Sequence, residues 1–315
     1  MNIWVDGSYK YVVQDASGVV VSTTDNVTSF SAGGANSIDI NGLIETTGGA
    51  FNDYLPLYDT SATANRKISF ANILGLLPSL ISGLLPSAVS GTNTTATLTI
   101  SPGSATASNA TTIIQGAGYT WNVSNGNNIN GYQGGVTLPN SATIHFFVIM
   151  GNSGVASFAS TSLTPTLPTG YELAYRRIFS LQTSATGALL PVVCLEGEGG
   201  SLITYLVSTV LESVTNISTT ATLVTLTVPK DIKVQHLGRY QAANNSIAVI
   251  LSSPDETDVA PGNTPLAADL SSNTNYNLGV ASTYLTTNTL SQIRARATSS
   301  SNFSVVTRGW KDFRR

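Results

Sequence analysis

Sulfur, imidazole and charge are what this 315-residue chain has least of: one cysteine, Cys194, two histidines, and only 10% charged residues. A lone cysteine excludes an internal disulfide, so the fold must be held by burial and hydrogen bonding. Charge at that level is well under the roughly 25% of an ordinary soluble domain. Between Lys67 and Glu172 there is no Asp, Glu, Lys or Arg at all, and His145 is the only imidazole there. General acid/base chemistry needs such groups, so that third of the chain is a poor place for a catalyst. A net charge of −3 leaves no basic stripe, which excludes the electrostatic footprint of nucleic-acid binding. The longest apolar run, residues 70–85, is shorter than the ~20 residues that span a bilayer and is broken by Gly and Pro, so no membrane insertion is expected. No basic and then apolar leader follows Met1, so no secretory signal is expected either.

What is present is hydrophobic residues at 42%, with Ser, Thr, Asn and Gly supplying the polarity. Short β-prone runs separated by turn formers fill most of the chain. The first is a hairpin: residues 8–14 and 19–24 read as strands around the turn Asp15-Ala16-Ser17-Gly18. A lone hairpin is marginal in water and should dock onto something, so Trp4 and the face of Tyr9 and Tyr11 are either ordinary packing or a surface that docks on a partner. Residues 31–41 are Gly/Ser/Ala/Asn-rich and read as a linker.

Residues 54–86 stand apart. Phe70, Ile73, Leu77, Leu80 and Leu84 are spaced 3, 4, 3 and 4 apart, the alternation of a helical seam. The reading is a short helical oligomerisation hub in which copies of the chain enclose these side chains, each worth about 1.5–3 kcal/mol when buried. The same spacing fits a core element of one chain. Beyond it, strands are expected at 96–100, 111–115, 118–123, 136–138, 144–150 and 155–158, forming a first β-domain over residues 88–200. A second, sandwich-like β-domain is expected over 201–315, with strands at 222–228, 233–240, 246–252, 276–281, 292–297 and 303–307, while 201–214 fits a helix by its Ile203, Val207, Val210 and Val214 spacing and a strand by its Thr, Val and Tyr content, and is read as a strand. The fold class is therefore mainly β: an N-terminal hairpin module (1–30), linker and helical hub (31–87), and two β-domains.

Three segments carry a resemblance. Trp4-Val5-Asp6-Gly7-Ser8-Tyr9-Lys10-Tyr11 with Asp15-Ala16-Ser17-Gly18 and Thr24-Asp25-Asn26-Val27 is one. The second is Leu55-Pro56-Leu57-Tyr58-Asp59 with Asn65-Arg66-Lys67-Ile68-Ser69. The third is Leu163-Thr164-Pro165-Thr166-Leu167-Pro168-Thr169-Gly170-Tyr171 with Arg176-Arg177-Ile178. Together with Gln292–Ala297 and Gly309–Arg315, they resemble tail-fibre and related virion proteins of tailed bacteriophages. The resemblance implies a virion protein made in the host cytoplasm and a homotrimer that meets other virion proteins through its N-terminal part, at Trp4, Tyr9 and Tyr11. A capsid-attached head fibre, a decoration or a fibre adaptor is the alternative within that group. A polysaccharide-cleaving tailspike would need paired carboxylates, and a non-viral adhesin would need a leader.

Contact with a host surface polysaccharide is placed on the last domain. Asp255, Glu256 and Asp258 form the densest acidic cluster, in a loop expected to run strand-free over 253–275, without the spacing of a calcium-binding loop. Arg294 and Arg296 alternate on one strand and share a face, able to grip a carboxylate or phosphate or to pair with an acidic loop. Arg176 and Arg177 read as a solvated strand end, and Arg308, Lys311, Arg314 and Arg315 as a solvated basic tail. His145, in an apolar strand, and the isolated His236 read as structural. No catalytic residue, metal ligand set or cofactor is nominated.

Overall fold

In a computed structural model the described residues are 3–6, 8–14, 16–27, 54–59, 64–69, 81–108, 113–197, 200–205, 210–242, 247–262, 270–271 and 285–314. They are mainly β, as the alternating runs require, and contain no α-helix; one 3-10 turn spans Val123–Asn125. None of their elements is a helix long and apolar enough to cross a membrane, which says nothing of a β-barrel.

The chain divides into two compact units, Met1–Leu77 and Pro78–Arg315. In the first, β1 (Ile3–Asp6), β2 (Ser8–Gln14) and β3 (Val20–Val27) form an antiparallel meander in chain order, one strand more than the hairpin expected. Gly18, with φ +83°, occupies the turn at a value glycine adopts without steric cost. β4 (Tyr54–Asp59) and β5 (Ala64–Ser69) then pair antiparallel.

This corrects the helical reading of 54–86 wherever that stretch is described. Its opening is a strand pair. Its end is β6 (Ile81–Gly83) and β7 (Pro86–Ser90). Pro86 has no N–H for a helical ladder, and Gly83 and Leu84 turn the chain at φ +63° and +54°, so residues 81–90 form two short extended pieces rather than a helical turn. Leu84 is fully buried in the core of its own chain. Phe70, Ile73, Leu77 and Leu80 lie outside the described residues.

In the second unit, β6 pairs with β9 (Gly103–Thr106), which pairs with β10 (Ile113–Gly116). Likewise β7 pairs with β8 (Thr97–Ile100), and that with β11 (Tyr119–Asn122). β12 (Thr143–Gly151) lies between β13 (Gly154–Ser160) and β14 (Ala174–Gln182). β12 reads Thr-Ile-His-Phe-Phe-Val-Ile-Met-Gly, apolar on both faces, and both faces are covered. Ile144, Phe146 and Val148 enter the main core, where Phe146 meets Trp121 edge-on at 5.1 Å and stacks on Phe179 at 4.9 Å. Phe147 and Ile149 join Ala156 and Phe158 in a second cluster, against which Leu167, Tyr171 and Tyr175 pack. Residues 136–138, expected as a strand, form none. Leu138 is buried there with its N–H bonded to Asn93 O.

The rest comprises β15 (Val192–Gly197), β16 (Gly200–Tyr205), β17 (Val210–Ile217), β18 (Thr222–Thr225), β19 (Gln235–Ala242), β20 (Ala248–Ser252), β21 (Leu270–Ser271), β22 (Leu285–Thr286), β23 (Gln292–Ala297) and β24 (Ser301–Asp312). β24 is the axis of a six-stranded sheet, paired with β16 and β17 along one edge and with β19 along the other. β18, β23, β20 and β21 make a four-stranded sheet in which Ile293, Ala295 and Ala297 are buried and Gln292, Arg294 and Arg296 half-buried, the period-two alternation read from the sequence. Residues 276–281 lie outside the described residues.

A polar knot crosses the expected boundary at residue 200. Arg177 donates from Nη1 to Asp312 Oδ2 at 2.6 Å and from Nη2 to Oδ1 at 2.8 Å, both partners buried. Arg314 N donates to Asp312 Oδ1 at 2.9 Å. A bulge opposite Phe146 and Phe147 leaves Ile178 without a register partner, and Arg314 Nε donates to its carbonyl at 2.8 Å. The same guanidinium reaches Gly83 O at 2.7 Å, while Arg176 Nη2 donates to Arg314 O at 3.1 Å. Arg176, Arg177 and Arg314 are thus interior residues, not solvated ends. Burial alone would raise the Asp312 carboxyl, but the Arg177 guanidinium and the Arg177 and Arg314 N–H bonds hold it below the usual carboxylate range. Burial, offset in part by Arg314, pushes the Cys194 thiol up to about 11.

Candidate functional site

The neutral span contains an open groove of about 690 Å³ on the face of the second cluster. One wall is the Asn-rich turn after β11. Asn122 caps the 3-10 turn by accepting from Ser124 N at 2.9 Å, and Trp121 Nε1 donates to Gly131 O at 2.7 Å, pinning both ends of the loop. Asn130, at φ +54°, is one of the few side chains that tolerates this conformation. Its Oδ1 accepts from Ser157 N at 3.0 Å and Ser157 Oγ at 2.8 Å, which fastens the loop to β13. The opposite wall is residues 163–171, one of the segments that carries the phage-fibre resemblance. Gln133 Oε1 accepts from Thr166 N at 3.2 Å, Tyr171 N donates to Pro168 O at 3.1 Å, and Tyr171 OH donates to Ser153 O at 3.3 Å. Phe158, Leu167, Pro168 and Tyr171 supply an apolar lining, and Asn127, Asn128, Gln133, Thr166 and Thr169 a polar one, with no charged residue. Sequence reasoning missed this site because Asn/Gly and Pro/Thr clusters read as turns. The signal was two turn-rich stretches bracketing a buried strand pair.

The sites expected from the sequence lie elsewhere. Trp4 is on β1 opposite Lys10, and Tyr9 and Tyr11 are on β2 opposite Val27 and Thr24 of β3. Asp255, Glu256, Asp258, Arg294 and Arg296 are brought together, within one chain. Arg294 donates to Glu256 O at 2.8 Å and Pro254 O at 2.9 Å, and Arg296 donates to Thr219 O at 2.7 Å and Asp258 Oδ2 at 2.9 Å. Lys233 pairs with Asp255 at 2.9 Å. The two arginines therefore hold the acidic loop against the sheet. The expected strand-free stretch contains β21, paired to β20. Both acidic pairs are part-exposed, so Asp258→Asn is expected to change unfolding free energy by less than about 1 kcal/mol in urea titration, and a larger loss would show that the loop is a structural keystone.

The histidines have structural partners. His145 Nδ1 shares a 2.8 Å hydrogen bond with Ser180 Oγ, and His236 bonds Tyr240 OH and, at 3.0 Å, Thr307 Oγ1. Gly238 makes room for that ring, since a Cβ there would meet His236 Cε1 at 2.1 Å. Burial lowers both imidazoles to about 4, helped at His145 by the Arg177 charge. A base so low and so enclosed is poorly matched to proton transfer near neutrality. Compared with protein-family models, curated proteins and solved structures, the chain finds no match.

Proposed function

We propose that the chain is a non-enzymatic structural protein of a tailed-bacteriophage virion, of the tail-fibre or receptor-binding type. The observation that carries the reading is the pairing of a β-rich body with a neutral, Asn- and Thr-lined groove, one wall of which lies in the fibre-like segment 163–171. Arg177 pairs with Asp312, each imidazole has a hydrogen-bonded partner inside the fold, and the groove lining carries no charged residue, which leaves neutral hydrogen bonding as the chemistry that the groove offers. In this reading the N-terminal part, with Trp4, Tyr9 and Tyr11, docks on other virion proteins. Phe70, Ile73, Leu77 and Leu80 join three chains, and the β-domains over residues 88–315 project toward the host surface. Leu84 is spent on its own core and does not belong to that seam.

The test is location. A peptide tag inserted in the exposed loop at residues 255–260, followed by gold labelling and imaging of purified particles, should place the chain on a projecting fibre. Deleting residues 1–30 should leave a folded oligomer by light scattering that no longer enters particles. A tagged chain absent from particles would overturn the reading.

A further inference from the structure

We propose that the groove between residues 127–133 and 166–171 binds an uncharged saccharide. The inference rests on the reading of the chain as a surface-contacting protein and deepens it by naming the ligand class. At about 690 Å³ the groove falls within the roughly 300–1,000 Å³ of small-molecule clefts.

Its chemistry has three parts. The first is a set of polar side-chain groups that the fold does not use. Gln133 spends its Oε1 on Thr166 N, and Asn128 spends its Nδ2 on Asn125 O at 3.0 Å. Gln133 Nε2, Asn128 Oδ1, the Asn127 amide and the Thr169 hydroxyl belong to residues that line the groove and have no protein partner among the described residues. Amides and hydroxyls offer donors and acceptors side by side, which is what adjacent sugar hydroxyls require. The second part is the apolar lining of Leu167, Pro168 and Tyr171, which suits the C–H face of a pyranose ring. The third is the absence of charge. With no Arg or Lys in the lining, a phosphate or carboxylate ligand would lose hydration without gaining a counter-ion. A purely apolar peptide segment would strand the same amides, each unpaired group carrying a desolvation penalty.

The walls are also set in advance. Asn130 is locked to Ser157, Trp121 to Gly131 O and Tyr171 to Ser153 O, so binding does not have to order the loop. The arginine pair on β23 is a weaker candidate for the same ligand, because its donors already serve Glu256 O, Pro254 O, Thr219 O and Asp258.

The experiment probes the full chain with an array of neutral and acidic bacterial-type oligosaccharides, then measures affinity for the best binder by calorimetry. Binding is expected among neutral glycans. Asn127→Ala and Thr169→Ala, whose side chains hold nothing inside the fold, are each expected to weaken it about fivefold, the worth of one hydrogen bond. Arg296→Ala should leave it unchanged. Selection of acidic glycans, indifference to both groove variants, or adsorption of the chain to host cells with no array glycan bound would each overturn the proposal. A chain found in particles that binds no glycan removes the groove and keeps the virion reading. A chain that binds neutral glycan through Asn127 yet is absent from particles does the reverse.

Discussion

Replacing Arg177 by alanine is expected to lower the unfolding free energy by about 3–5 kcal/mol, because it leaves the Asp312 carboxylate buried without its counter-ion. The midpoint of a urea transition reads this directly. A loss under about 1 kcal/mol would mean that the pair is solvated and the interior knot is not a stabilising feature. The size comes from the asymmetry of buried pairs. Making one returns little over apolar residues of similar volume, whereas removing half exposes the full desolvation penalty of the other half. The double change Arg177→Met with Asp312→Leu should therefore recover much of what the single change costs. Asp312 also sets an acid limit. Its carboxyl is held below the ordinary range, so its contribution is complete above an unfolded value of about 3.9 and is lost as pH falls through the lower folded value.

A second and separate acid sensitivity is expected at higher pH. His145 and His236 are 0% and 2% exposed. In the fold they take up a proton only near about 4, against an ordinary 6.5, with burial the main cause at both and Asp231 opposing the effect at His145. Folded imidazoles stay neutral while those of the unfolded chain become charged as pH drops below about 6.5. Stability from this source is full above that value, declines between 6.5 and 4, and levels off below 4. A gap of this width corresponds to about 3 kcal/mol per histidine. Urea midpoints at pH 7, 5.5 and 4.5 test it, with His236→Gln and His145→Gln each expected to flatten the slope. A wild-type midpoint constant from pH 7 to 4.5 would show that the rings are charged in the fold.

These expectations depend on contacts that the sequence conceals. β12, β13 and β23 were legible because uninterrupted apolar or alternating runs end in Gly, Asn or Ser, and the expected bounds fall within two residues of the observed ones. β14 was not, since adjacent arginines at its start argue against a buried strand, and the carboxylate that admits one of them lies 135 positions away. The 54–86 stretch misled for another reason. A 3,4 spacing is the arithmetic of a helix, but in the described parts of the stretch local propensity yields to strand pairing, at 54–59 with 64–69 and again at 81–83 and from Pro86. The groove left no periodic trace. Its walls are turns, and what makes them a site is that two turns distant in sequence face each other over β13.

The placement of β24 also constrains how this protein can be made. Its twelve residues run through the middle of the six-stranded sheet, and Arg314, two residues after it, reaches back to Gly83 and Ile178. A ribosome that has translated as far as residue 300 has produced β16, β17 and β19 but not the strand they all bond to. Closure of this body is consequently a late event, deferred until residues 301–314 have emerged, and pairings this distant in sequence are slow to form. A message cut short before that point yields a product with three bare strand edges. Such fragments lack the strand that joins the sheet, so only polypeptides translated through residue 314 can complete this fold.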